Sequence, residues 1–116
     1  MKIAEILING TDLHTLNQSR KRWVLGRDPT CDIQIIDPSV SRKHCTIVLV
    51  TNSIYSYQVF DGLLGHARGS KYGVFVNDVK RKSAILNNGD IVRLSPNTSF
   101  QFIVEEAVRD EKATKD

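Results

Sequence analysis

Gly26-Arg27-Asp28-Pro29-Thr30-Cys31-Asp32-Ile33-Gln34-Ile35-Ile36-Asp37-Pro38-Ser39-Val40-Ser41-Arg42-Lys43-His44-Cys45 is the stretch that decides how this 116-residue chain folds. The apolar run Trp23-Val24-Leu25 leads into it and stops at Gly26-Arg27. A turn rich in Asp and Pro follows, then a short apolar run over residues 33–36, then a second turn at Asp37-Pro38. Ser41-Arg42-Lys43-His44 opens the next apolar run. An arginine and a serine–arginine pair therefore stand at strand ends on neighbouring loops. Such loops let a rigid sheet present anion-binding groups without a helix N-terminus or a glycine-rich cradle.

The flanking sequence repeats this pattern of short apolar runs and turns. Strands are expected over residues 3–8, 22–25, 33–36, 44–50, 56–60, 74–76, 91–94 and 100–104. Asn9-Gly10, Asp28-Pro29, Asp37-Pro38, Asp61-Gly62, Asn88-Gly89 and Ser95-Pro96 punctuate them. No segment before residue 104 holds a 3.6-residue period, so the expected fold is all-β, a two-sheet sandwich. Residues 1–104 form the expected domain, and 105–116 a charged tail too polar to pack. Residues 61–71 make the longest irregular piece, and a loop of that length in a compact domain is usually functional or mobile.

Composition narrows the function classes. Hydrophobic residues at 41% and charged residues at 25% suit one ordinary globular domain. No apolar run approaches the roughly 20 residues that span a bilayer. Met1-Lys2-Ile3-Ala4-Glu5 alternates like a strand and carries an acid, unlike a signal peptide, so a cytoplasmic location is expected. Met1 and the polar tail suit a complete, monomeric small adaptor. Cys31 and Cys45 have neither disulfide-framework nor metal-site spacing, so both are expected as reduced structural thiols, with no metal or cofactor. The net charge is +3, with basic clusters at 20–22, 42–43 and 80–82, which favours anionic partners without selecting among them. His14 and His66 read as surface residues.

Four elements in order resemble those of the forkhead-associated (FHA) domain, a module that binds phosphothreonine peptides. They are Gly26-Arg27, Ser41-Arg42-Lys43-His44, Gly73-Val74-Phe75-Val76-Asn77 and Leu86-Asn87-Asn88-Gly89-Asp90-Ile91-Val92-Arg93-Leu94. The resemblance implies an antiparallel β-sandwich of about ten or eleven short strands with functional loops at one end. It implies no catalysis and a threonine-phosphorylated protein or peptide as the partner; no nucleic-acid or membrane partner is expected.

The chemistry fits that expectation. Phosphothreonine carries about −1.5 to −2 charges and three acceptor oxygens. Arg27 supplies a planar guanidinium fork, Ser41 a hydroxyl donor, and Arg42 a second cation or a backbone N–H. His44 is expected to point inward and brace the Ser41 loop through backbone bonds, with Gly26 shaping the site. The resemblance places Tyr72, Gly73 and Asn77 against the peptide, with Gly73 or Val74 lining an apolar contact to the threonine methyl, which would disfavour phosphoserine.

Two positions depart from the family. Tyr72 stands where the first Asn of its Asn-Gly element grips the peptide backbone, and a phenol lacks the paired donor and acceptor of an amide. Asp78 stands where the second Asn-Gly has its glycine. Residues 62–70 look like an insertion lying against the bound peptide, with Arg68 and Lys71 as candidate selectivity residues for an acidic side chain.

Three other readings compete. A serine hydrolase built on Ser41 and His44 is disfavoured, because residues three apart on a strand project to opposite faces and no oxyanion motif accompanies them. A β-fold nucleic-acid binder needs exposed stacking aromatics. Trp23, Phe75, Phe100 and Phe102 carry core patterning, leaving only Tyr55, Tyr57 and Tyr72 for that role. An FHA-fold scaffold that no longer requires phosphothreonine is the reading Tyr72 favours. Phosphorylation of Thr11, Thr15 or Thr114, with binding in trans, is a further option.

Overall fold

A computed structural model describes residues 2–51 and 55–106. Eleven strands run in chain order: β1 (Lys2–Ile8), β2 (Asp12–Leu16), β3 (Arg22–Gly26), β4 (Ile33–Gln34), β5 (Cys45–Thr51), β6 (Tyr55–Asp61), β7 (Phe75–Val76), β8 (Val79–Lys80), β9 (Ser83–Leu86), β10 (Ile91–Ser95) and β11 (Thr98–Glu106). A six-stranded sheet has the order β2-β1-β11-β10-β7-β8, and a five-stranded sheet the order β4-β3-β5-β6-β9. The fold is the expected all-β sandwich.

Period-two alternation builds the two inner faces. On β1, Ala4, Ile6 and Ile8 are buried; across the ladder Ile6 pairs with Phe102 and Ile8 with Phe100, both buried on the same side. The opposing sheet contributes Trp23, Leu25, Ile47, Leu49, Tyr57 and Val59. Tyr57 bridges the layers, with ring centroids 6.1 Å from Trp23 and 5.4 Å from Phe102. Burying each such large side chain contributes on the order of 2–3 kcal/mol.

Several expectations are corrected. Strands β2, β8 and β9 have no counterpart in the sequence reading: each is short or polar, and each is fixed by its partner more than by its own composition. Residues 33–36 are only partly strand: β4 is Ile33–Gln34, paired in parallel with Leu25–Gly26, and the Ile35 N–H makes the last ladder bond, to the Gly26 carbonyl at 2.7 Å. Strands β3 and β4 pair in parallel, the exception in an otherwise antiparallel fold. Tyr57 is core at 5% exposure, not a surface ring, while the Tyr55 side chain lies outside the described residues. Strand β11 runs to Glu106, two residues past the expected domain boundary, because Glu105 and Glu106 pair with Ile3 and Lys2. The rest of the expected tail, residues 107–116 with Thr114, lies outside the described residues. No described helix is long and apolar enough to cross a membrane.

At the β7–β8 hairpin Asn77 and Asp78 both adopt left-handed backbone, φ 49° and 71°. Two successive left-handed residues are what a tight two-residue hairpin requires, so Asp78 fills the expected glycine position.

Candidate functional site

Two loops leaving the five-stranded sheet are locked together along their backbones. The Arg27 N–H donates to the Ser41 carbonyl and the Asp28 N–H to the Arg42 carbonyl, each at 3.1 Å. The Cys31 thiol also donates to the Arg42 carbonyl, at 3.1 Å. Gly26 makes this approach feasible: a Cβ there would overlap the Arg42 carbonyl and stand 2.9 Å from the Ser41 oxygen. Gly26→Ala is accordingly expected to cost about 2 kcal/mol in chemical denaturation by prying the loops apart. Unchanged stability would show that the 41–42 loop yields freely.

Arg27 is positioned by its neighbour's neighbour. Its Nε donates to the Val40 carbonyl at 3.0 Å, one residue before Ser41. The two terminal guanidinium nitrogens have no protein partner among the described residues and face outward with an exposed side chain. The Ser41 Oγ accepts from the Lys71 N–H at 3.0 Å, which leaves the hydroxyl proton available to a ligand. Arg42 is exposed, whereas Lys43 is committed to the Asp28 carboxylate at 3.2 Å and the Thr30 hydroxyl at 3.0 Å. The Thr30 backbone N–H and hydroxyl, followed by Lys43, hold the Asp28 carboxyl down at about 2. Asp28 therefore stays ionised but is paired, so it does not compete for Arg27.

His44 braces the site from beneath and is fully buried. The Ser41 N–H donates to Nδ1 at 3.0 Å, and Nε2 lies 2.8 Å from the Gly73 carbonyl. An amide can only donate and a carbonyl only accept, so the ring is neutral with its proton on Nε2. Burial pushes its pKa below the ordinary histidine value, against the pull of the Gly73 carbonyl. Both ring nitrogens thus serve backbone, and neither meets the Ser41 hydroxyl.

The third loop returns to this site by an unexpected path. Leu63, Leu64 and His66 line a cleft of about 470 Å³ together with Arg22, Val24 and Thr46 of the five-stranded sheet. The buried Thr46 hydroxyl donates to the Gly62 carbonyl at 2.8 Å, tying the start of the loop to β5. The first part of the loop thus shares a cleft with the smaller sheet. Asp61 then receives the Ser70 N–H at 2.8 Å, and the Ser70 hydroxyl receives the Gly73 N–H at 2.9 Å. That brings Lys71, Tyr72 and Gly73 to Ser41 and His44. Arg68 is exposed and its side chain has no hydrogen bond among the described residues.

Two expected contacts are relocated. Asn77 lies at the far end of β7 from Gly73, and its amide is used there: Nδ2 donates to Asp90 at 2.9 Å and Oδ1 accepts the Ile91 N–H at 3.0 Å. It acts as a turn clamp, with the two-residue strand β7 between Gly73 and the hairpin tip. Val74 is fully buried and cannot line a ligand contact. The sequence reading also missed Asp37, whose carboxylate pins the loop leading to Ser41. Only its place in an Asp-Pro turn signalled it. His66 is exposed and His14 pairs with Asp12 at 3.0 Å, both consistent with surface residues. Both cysteines are free thiols, Cys45 fully buried and raised to well above the ordinary range by that burial.

Known proteins with this arrangement are diverse. The chain is 36% identical over 76 residues to the uncharacterized protein sll1895 of Synechocystis, covering 63% of this chain and 11% of that protein. It is 28% identical over 98 residues to the DNA damage response protein kinase DUN1 of Saccharomyces cerevisiae, covering 83% of this chain and 19% of the kinase. It thus spans a small part of either relative. Among solved structures, the FHA domain of CT664 from Chlamydia trachomatis superposes with a TM-score of 0.69 at 27% identity, over 91% of this chain and 98% of that one. An FHA domain solved in a study of phosphothreonine-dependent FHA interactions gives 0.74 at 19% identity, over 90% of this chain and 99% of that one. A family model for the FHA domain matches residues 23–95, from the strand that leads into Arg27 to the Ser95 that closes β10, and the chain belongs to that family.

Proposed function

We propose that this domain docks onto a threonine-phosphorylated segment of a partner protein, with Arg27 and Ser41 holding the phosphate and Arg42 assisting. The observation that carries the reading is a pair of loops whose backbones are tied to each other while their strongest side-chain donors are left unused. A guanidinium fork anchored on the Val40 carbonyl, one residue before Ser41, and the Ser41 hydroxyl proton suit a dianion with three acceptor oxygens. Such preorganisation keeps the ordering cost of binding low. Gly26 and His44 shape the site; Tyr72 and Gly73 form its peptide-facing wall. The phosphothreonine-dependent interactions of the solved FHA neighbour support the same assignment. We read the domain as a docking module; Ser41 and His44 do not form a hydrolase dyad, because both ring nitrogens of His44 serve backbone groups.

Tyr72, in place of the family's amide, favours a second reading: a docking scaffold indifferent to phosphate. Calorimetric titration with a library of threonine-phosphorylated peptides and their unphosphorylated twins separates the two. Binding that disappears on dephosphorylation is expected. Equal affinity for both members of every pair would sink the phosphate reading and leave the scaffold.

A further inference from the structure

Tyr72 sits between two residues tied directly to the phosphate loops. The Lys71 N–H donates to the Ser41 Oγ, and the Gly73 carbonyl lies against His44. Its half-buried ring turns onto Phe75, with centroids 5.2 Å apart and planes at 52°. Phe75 is on the outer face of the six-stranded sheet, since the alternating neighbour Val76 is buried opposite Val92. Its cross-strand partners are Arg93 on β10 and Lys80 on β8. Cross-strand partners project to one face, so Arg93, Phe75 and Lys80 stand in a row.

Lys80 runs from this row back toward the phosphate site. A Cβ built on Gly73 would lie 2.8 Å from Lys80 Cε, 3.6 Å from its Nζ and 3.5 Å from the Phe75 ring. Gly73, at φ +104°, is thus the floor over which the lysine stem passes. Neither Lys80 nor Arg93 has an ion-pair partner among the described residues. Two unpaired cations therefore flank an aromatic pair that is continuous with the Ser41–His44 wall.

We propose that Tyr72, Phe75, Lys80 and Arg93 form a specificity shelf that takes acidic side chains of the same peptide whose phosphothreonine occupies the Arg27–Ser41 site. The aromatic pair supports the peptide's backbone and methylenes, and the cations meet its carboxylates. The inference rests on the phosphothreonine reading and gives the Tyr72 departure a purpose. An amide would grip one peptide bond, whereas a ring offers a flat surface beside two cations. A nucleic acid is a poorer occupant, because the two rings pack on each other and present no series of stacking platforms.

The test is a set of neutral, alanine-rich phosphothreonine peptides in which a pair of glutamates is walked outward on either side. Fluorescence anisotropy at physiological salt reads the affinities. Glutamates on one flank are expected to tighten binding roughly fivefold, the scale of exposed ion pairs, and lysines there to weaken it. Lys80→Ala and Arg93→Ala, both surface changes checked by thermal melting, should remove that gain and leave the neutral phosphopeptide's affinity unchanged. Tyr72→Ala should reduce the gain as well. Phosphate-dependent binding with no acidic preference, or a preference that survives both cation variants, overturns the shelf alone. Binding without phosphate dependence overturns the docking reading and the shelf with it, as would tighter, steeply salt-dependent binding of a single-stranded oligonucleotide.

Discussion

Arg27→Ala is expected to lower affinity for a threonine-phosphorylated peptide about a hundredfold with little change in folding stability. The estimate follows from two charge-assisted hydrogen bonds lost to the phosphate, at about 1.5 kcal/mol each even at the weak end of their range. Stability should hold because the side chain is exposed and its one hydrogen bond among the described residues, Nε to the Val40 carbonyl, can be replaced by water. The bond that locks the loops comes from the Arg27 backbone N–H, which alanine retains. Arg27→Lys should recover only part of the affinity, since a point charge lacks both the fork and the Nε anchor. Titration of the three proteins with one phosphopeptide, alongside their melting curves, checks this. An Arg27→Ala protein that binds as tightly as the parent would remove the guanidinium from the site.

The placement of Arg27, Ser41 and His44 was legible because it is written locally. Gly26-Arg27 and Ser41 through His44 lie at strand ends, where period and turn chemistry place a residue to within one or two positions. The inward role of His44 followed from the same logic. The placement of residues 62–80 was not legible, because it depends on where long-range pairing puts short segments. Strand β7 is two residues long, and nothing local says that Asn77 falls beyond its far end, against Asp90. Leu63, Leu64 and His66 likewise share a cleft with Val24 and Thr46 of other strands, a placement that no local pattern gives. Lys80 was visible only as part of a basic cluster; its approach to Gly73 depends on the Phe75–Lys80 register.

Strands β2 and β9 show the same limit for the fold. Asp12–Leu16 places one residue, Leu16, in the core, and Ser83–Leu86 only Ala84 and Leu86. Each is a strand because a neighbour offers an unpaired edge, β1 in one case and β6 in the other. Edge pairing of this kind overrides weak local preference, so composition alone does not reveal it.

Asp37→Ala is expected to destabilise the domain by about 3–4 kcal/mol and to loosen the Ser41 loop. The carboxylate is almost entirely buried, at 8% exposure. It accepts the Ser95 and Thr98 hydroxyls on Oδ2, each at 2.6 Å, and the Ser39 N–H on Oδ1 at 2.9 Å. Ser95 and Thr98 belong to the six-stranded sheet, so Asp37 bolts the loop ahead of Ser41 to the opposite layer. Alanine removes three bonds to a charged acceptor and strands two buried hydroxyls, which sets the size of the loss. A shift in melting temperature on the order of 15 °C should accompany it. The acid dependence supplies an independent check. The Ser95 hydroxyl, then Thr98 and the Ser39 N–H, hold the Asp37 carboxyl at about 2, below its ordinary value of 3.8. A depressed carboxylate contributes stability that is present above 3.8 and lost as pH falls through about 2. The stability gap between the parent and Asp37→Ala should therefore narrow across that window, although Asp28, also held at about 2, contributes to the acid unfolding of both proteins. A gap that stays constant from about pH 5 to pH 2 would show that the ionised carboxylate is not what joins the two layers. Weaker phosphopeptide binding by Asp37→Ala, measured well below its melting point, would in turn show that the bolt sets the position of Ser41 as well as the stability of the sandwich.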